Sequence, residues 1–165
     1  LGCTVVALSL LALTACSPAV GGHSGIRMGA SGLVAVLRLC ADFGDLGSVR
    51  LYRVTSPGKV GEEMVALERV GARPKTRVLT VDLADPGDGW RVTAGRTPPA
   101  IDPAEEYELR AWNVKRDTRV YSFPFRPTEL PADGAILVKT YRDGAYAAAT
   151  MTDEEFAAFA DRRCR

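Results

Sequence analysis

The side chains best able to do chemistry in this chain are arginines interleaved with aromatics. Arg50, Arg53, Arg110 and Arg119 fall on segments that also carry Tyr52, Trp112 and Tyr121. Arginine and aromatic residues dominate the energetic centres of binding surfaces. A guanidinium also matches a carboxylate or phosphate through two parallel hydrogen bonds. Arg50, Tyr52, Arg110, Trp112 and Tyr121 therefore form the candidate binding surface. The alternative is a polar outer sheet face, where neighbours such as Glu108 and Arg110 simply pair across strands.

Two acidic sets invite other chemistry. Asp82, Asp85 and Asp88 surround a Gly-rich turn, and loop oxygens of this kind can hold Ca²⁺. The run Asp85-Pro86-Gly87-Asp88-Gly89 is also what any tight turn uses, and no bidentate acid follows at EF-hand spacing. Asp102, Glu105, Glu106 and Glu108 imitate a glycosidase pair, which needs two acids across a cleft. Glu106 and Glu108 alternate with Tyr107 and Leu109, so they are expected on a solvated face.

The sole histidine, His23, lies in a Gly- and Ser-rich stretch without periodicity. A mobile histidine cannot be held to catalytic tolerance. That argues against a Ser-His-Asp site, a Cys-His site and a His-ligated zinc. No P-loop or G-x-G-x-x-G pattern occurs. No enzymatic activity, cofactor or metal is expected of this chain.

The elements that must position these residues are mainly strands. The 165-residue chain is 47% hydrophobic and 25% charged, the balance of one soluble globular domain. Its net charge of +1 lends no support to a nucleic-acid partner. Alternation predicts strands over Leu33–Cys40, Ser48–Thr55, Arg77–Leu83, Trp90–Thr93, Glu106–Val114, Thr118–Phe125, Ala135–Tyr141 and Ala145–Thr150. Glu62–Val70 reads equally as strand or helix. A helix is predicted over 152–164, with Thr152 and Glu155 forming a capping box and Met151 and Phe156 a hydrophobic staple.

The N-terminal run Thr4-Val5-Val6-Ala7-Leu8-Ser9-Leu10-Leu11-Ala12-Leu13-Thr14-Ala15-Cys16 resembles the lipobox of a bacterial lipoprotein signal peptide. Its apolar core is too short to span a membrane. The excess of Arg over Lys suits a high-GC bacterium such as an actinobacterium. The resemblance implies cleavage before Cys16, a covalent diacylglycerol on that sulfur, and an extracytoplasmic domain anchored to the cell membrane. It divides the chain into a signal peptide over 1–15, a lipidated flexible tether over 16–32 and a folded domain over 33–165. Cys3 would leave with the signal and Cys16 would carry lipid. Cys40 and Cys164 then remain as an even pair in an oxidising compartment, which reads as a disulfide.

Ile101-Asp102-Pro103-Ala104-Glu105-Glu106-Tyr107-Glu108-Leu109-Arg110-Ala111-Trp112-Asn113 resembles the sixth strand of a fibronectin type III domain. Tyr107 would then be the tyrosine-corner residue, whose hydroxyl bonds a backbone group upstream. The implied fold is mainly β, an immunoglobulin-like or fibronectin III-like β-sandwich with an added C-terminal hairpin and helix. Such sandwiches host many roles. The reading that follows is a membrane-anchored, non-catalytic binding or adaptor module whose partner is an envelope protein or cell-wall polymer. A small-ligand carrier or sensor, and a histidine-free Asp/Glu hydrolase, are the alternatives.

Overall fold

The computed structural model describes residues 19–71 and 76–164. The domain is mainly β. Eleven strands occur in the described residues: β1 (Ala19–Met28), β2 (Leu33–Leu39), β3 (Leu46–Ser56), β4 (Lys59–Arg69), β5 (Val78–Asp82), β6 (Trp90–Gly95), β7 (Tyr107–Asn113), β8 (Thr118–Tyr121), β9 (Pro124–Phe125), β10 (Ile136–Arg142) and β11 (Ala145–Met151). One helix, α1 (Asp153–Asp161), closes the chain. Eight strands form a mixed, strongly curled half-barrel in the order β5-β2-β1-β8-β7-β3-β4-β6. The β10–β11 hairpin attaches to β1 through Ile26 and Leu137.

β1 is the hinge of this architecture. It runs antiparallel to β2 from Gly22 to Met28 and parallel to β8 from Ala19 to His23. The two arms are thus one continuous, strongly curled hydrogen-bonded sheet whose edge strands, β5 and β6, do not pair with each other. Its concave side is filled from both arms: Ile26, Leu37 and Val81 from one, Val49, Leu51, Leu67 and Leu109 from the other. Burial of alternate residues is what drives the curling.

A second, smaller core lies on the convex side, where α1 docks across β1, β2 and β10. Phe156, Phe159 and Ala160 pack against Val34, Val36, Ile136 and Val138. Thr152 Oγ1 accepts from the Glu155 N–H, and a Glu155 carboxylate oxygen accepts from the Thr152 N–H, so the capping box forms as expected. Met151 packs on the same cluster. Ion pairs hold both ends of the helix, Arg27 with Asp153 and Arg38 with Asp161. The Cys40–Cys164 disulfide, with Cα atoms 5.2 Å apart, staples the end of the chain beyond α1 to the end of β2.

The structure corrects the expected tether. Residues 19–28 are not a flexible linker but a strand with partners on both sides. Its glycines serve close approach rather than flexibility. A Cβ at Gly22 would stand 2.7 Å from the Arg38 carbonyl oxygen, and one at Gly25 would collide with Ile136. The folded part therefore starts at or before Ala19 rather than at Leu33. Glu62–Val70 resolves as strand within β4, and Thr118–Phe125 is divided between β8 and β9. The helix ends at Asp161, a turn short of the expected 164. Cys3, Cys16 and the expected signal peptide lie outside the described residues.

Candidate functional site

The convex face of β3, β4 and β7 gathers four of the five expected surface residues. In the β3–β7 ladder, Arg50 stands opposite Arg110, Tyr52 opposite Glu108, and Ser48 opposite Trp112. A shallow groove of about 250 Å³ runs along Ser48, Arg50, Tyr52, Trp112 and Arg116. The Arg110 guanidinium lies 5.7 Å from the Tyr52 ring centre, a cation–π contact that fixes both side chains.

The ion pairs on this face do not balance. Arg50 reaches Glu63 at 2.8 Å, and Arg110 reaches Glu108 at 2.7 Å. Glu68 alone serves Arg91 at 3.3 Å, Arg116 at 3.5 Å and Arg50 at 3.9 Å. Arg119 stands opposite Trp112 and makes no ion pair among the described residues; its Nε is buried without a hydrogen-bond partner. Among the described residues, guanidiniums from Arg50, Arg91, Arg110, Arg116 and Arg119 thus meet carboxylates from Glu63, Glu68 and Glu108 only. The surplus is positive and sits beside two aromatic rings. Burial holds the Tyr52 phenol above its usual range, and its hydrogen bond with the Glu63 carboxylate adds to this. Tyr52 is therefore a neutral donor at any physiological pH.

Tyr121 departs from the group. Its hydroxyl accepts the Tyr141 backbone N–H at 3.0 Å, under the β10–β11 hairpin, and its ring lies 6.0 Å from that of His23. Arg53 pairs with Glu62 at 2.6 Å.

Glu108 is not on a solvated face as alternation suggested. It is buried, because the chain doubles back at Ser122 and sets Pro124 across from it. Ser122 Oγ and Arg110 Nε both donate to the same Glu108 oxygen. Asp82 is also committed. One oxygen accepts the Ala84 and Asp85 N–H groups, and the other accepts from Ser31. Burial pushes its carboxyl upward, but these bonds outweigh that and hold it below the usual range. It acts as the turn's own cap. Among the described residues no group of three or more His, Cys, Asp or Glu side chains is placed to hold a metal ion.

His23 was expected in solvent and is instead half-buried, its ring 5.8 Å from Phe159 and edge-on to it. Burial, and then the charge of Arg163, lower its pKa to about 4. Periodicity missed it because Gly22 and Gly25 on either side mask the alternation of β1. Tyr107 is buried at the head of β7, and its hydroxyl accepts the Asp102 N–H at 2.8 Å.

The chain matches no protein-family model, no curated protein and no solved structure.

Proposed function

We propose that this chain is a lipid-anchored, extracytoplasmic binding module of the bacterial envelope, without catalysis of its own, that engages an acidic cell-wall polymer through the Arg50–Tyr52–Arg110–Trp112 face. The observation carrying this reading is the positive surplus on that face, with three arginines sharing Glu68. An acidic ligand completes those half-satisfied guanidiniums by charge-assisted hydrogen bonds, and the aromatic rings supply contact area at little entropic cost. An acidic envelope protein is the other partner of the same chemistry.

The finer fold reading is an immunoglobulin-like sandwich. Its support is the pairing of β1 with both β2 and β8, together with the Tyr107–Asp102 bond in the position of a tyrosine corner. The anchor reading rests on the lipobox resemblance around Cys16 and gains support from the Cys40–Cys164 disulfide, a bond that persists in oxidising compartments. Diacylation of Cys16 would bury enough CH₂ groups, at about 0.8 kcal/mol each, to make the tether lasting.

The test uses the full chain. Binding to polyglutamate is expected to saturate, to weaken with salt, and to fall about tenfold in Arg110→Gln/Arg119→Gln, the loss of about 1.4 kcal/mol. Equal affinity for polylysine, or no effect of the double substitution, overturns the assignment of the face. In cells, Cys16→Ala is expected to move the protein from the membrane to the soluble fraction; retention in the membrane overturns the anchor.

A further inference from the structure

A second group of cations lies away from that face, where β1, β8, β10 and the segment after α1 converge. We propose that the pocket formed by His23, Tyr121, Thr140, Tyr141, Arg142 and Arg163 binds a phosphate group.

The pocket holds about 150 Å³, room for one phosphate and its waters but not for a large organic ligand. No carboxylate lines it. Arg142 and Arg163 make no ion pair among the described residues, while the neighbouring Arg38 is fully engaged by both oxygens of Asp161. Thr140 and Tyr121 add hydroxyls, while the Tyr141 ring packs against Tyr146. The Tyr121 hydroxyl accepts from the Tyr141 N–H, which leaves its own proton for a ligand. Two arginines, the hydroxyl-bearing Thr140 and Tyr121, and the His23 ring therefore line one small space, a donor set that matches tetrahedral oxyanions.

The placement is rigid. Arg163 stacks on Phe159 at 3.9 Å, and the next residue, Cys164, is fixed by its disulfide to Cys40. His23 sits in the β1 ladder opposite both Arg38 and Tyr121. Its neutrality follows from burial and then from the charge of Arg163. A bound dianion reverses the local field and restores the imidazolium.

That reversal gives a readout independent of any activity. His23 is the only histidine, so its ring signals in ¹H–¹⁵N spectra need no further assignment. Titrating the full chain with inorganic phosphate is expected to move these signals saturably and to raise the His23 pKa from about 4 toward its ordinary value. Arg142→Gln and Arg163→Gln are each expected to weaken the effect about tenfold, with backbone spectra otherwise unchanged. Vesicles of phosphatidylglycerol, compared with phosphatidylcholine, separate the two sources of the group. A response to vesicles alone, lost in the same variants, assigns a lipid headgroup. A response to free phosphate assigns a soluble ligand. No response to either, or one that survives in Arg142→Gln/Arg163→Gln, overturns the proposal. None of these residues belongs to the Arg50–Arg110 face, so failure here leaves that face untouched, and the reverse.

Discussion

Arg50 and Arg110 stand directly across from each other in the β3–β7 ladder, two like charges in register. Such pairs destabilise a sheet unless each is compensated. Glu63 compensates the first and Glu108 the second. Glu63→Gln is therefore expected to cost about 1 kcal/mol in urea unfolding. Combined with Arg110→Gln, which itself unpairs Glu108, the loss should be smaller than the sum of the two single variants. A purely additive double variant would show that the two arginines do not sense each other.

Glu68 restrains the same face. Its carboxylate is shared by Arg50, Arg91 and Arg116. Removing it with Glu68→Gln should raise affinity for polyglutamate several-fold, while Arg116→Gln lowers it. Calorimetric titration of both variants reads the sign.

The Cys40–Cys164 bond closes a loop with a sequence separation of 124. The chain-entropy treatment assigns about 4–5 kcal/mol to such a closure, and measured losses run about 2–5 kcal/mol. Cys40→Ser/Cys164→Ser is expected to lower Tm accordingly. α1 should loosen first, because beyond the disulfide only the small Phe156–Phe159 cluster and two surface ion pairs hold it among the described residues. Amide exchange at Phe156 and Phe159 reports this directly.

Tyr107→Phe removes one oxygen and little else. The Asp102 N–H loses its acceptor at the approach to β7. The expected cost is about 1 kcal/mol, since water reaches this segment and replaces part of the bond. A cost near zero would reduce Tyr107 to an ordinary core aromatic.

His23 makes stability depend on pH. Its folded pKa, about 4, lies below the ordinary 6.5, so the unfolded chain binds the extra proton first. This contribution is complete above about pH 6.5 and is lost as pH falls toward about 4. His23→Gln should flatten Tm against pH within that window. A profile unchanged by the substitution would mean that the ring is not desolvated.

Much of the framework was legible because single physical signals were strong. β2 and β5 alternate cleanly, Asp143-Gly144 marks the hairpin turn, and Thr152 with Glu155 announces α1. The Cys40–Cys164 pairing followed from the even cysteine pair left once Cys3 and Cys16 are assigned to the expected signal and lipid site. β1 was hidden because its glycines, read locally, signify flexibility. Their reason is distant in sequence: Gly25 makes room for Ile136 and Phe156. The burial of Glu108 was hidden for a similar reason, since only the reversal at Ser122 encloses it. Of the candidate face, the residues were legible but the sharing of Glu68 was not. That depends on the β3–β4 and β4–β6 registers, which no local pattern encodes.

β1 also decides how the domain meets mechanical load. A pull entering at Ala19 along the strand acts on its parallel bonds to β8 and its antiparallel bonds to β2 together. Those bonds lie across the line of force, so they are sheared as a set rather than unzipped one by one. Beyond them, the Cys40–Cys164 bond ties β2 to the chain after α1, so force transmitted from β1 to β2 meets a covalent link. The first strand of the described fold is thus its mechanical clamp.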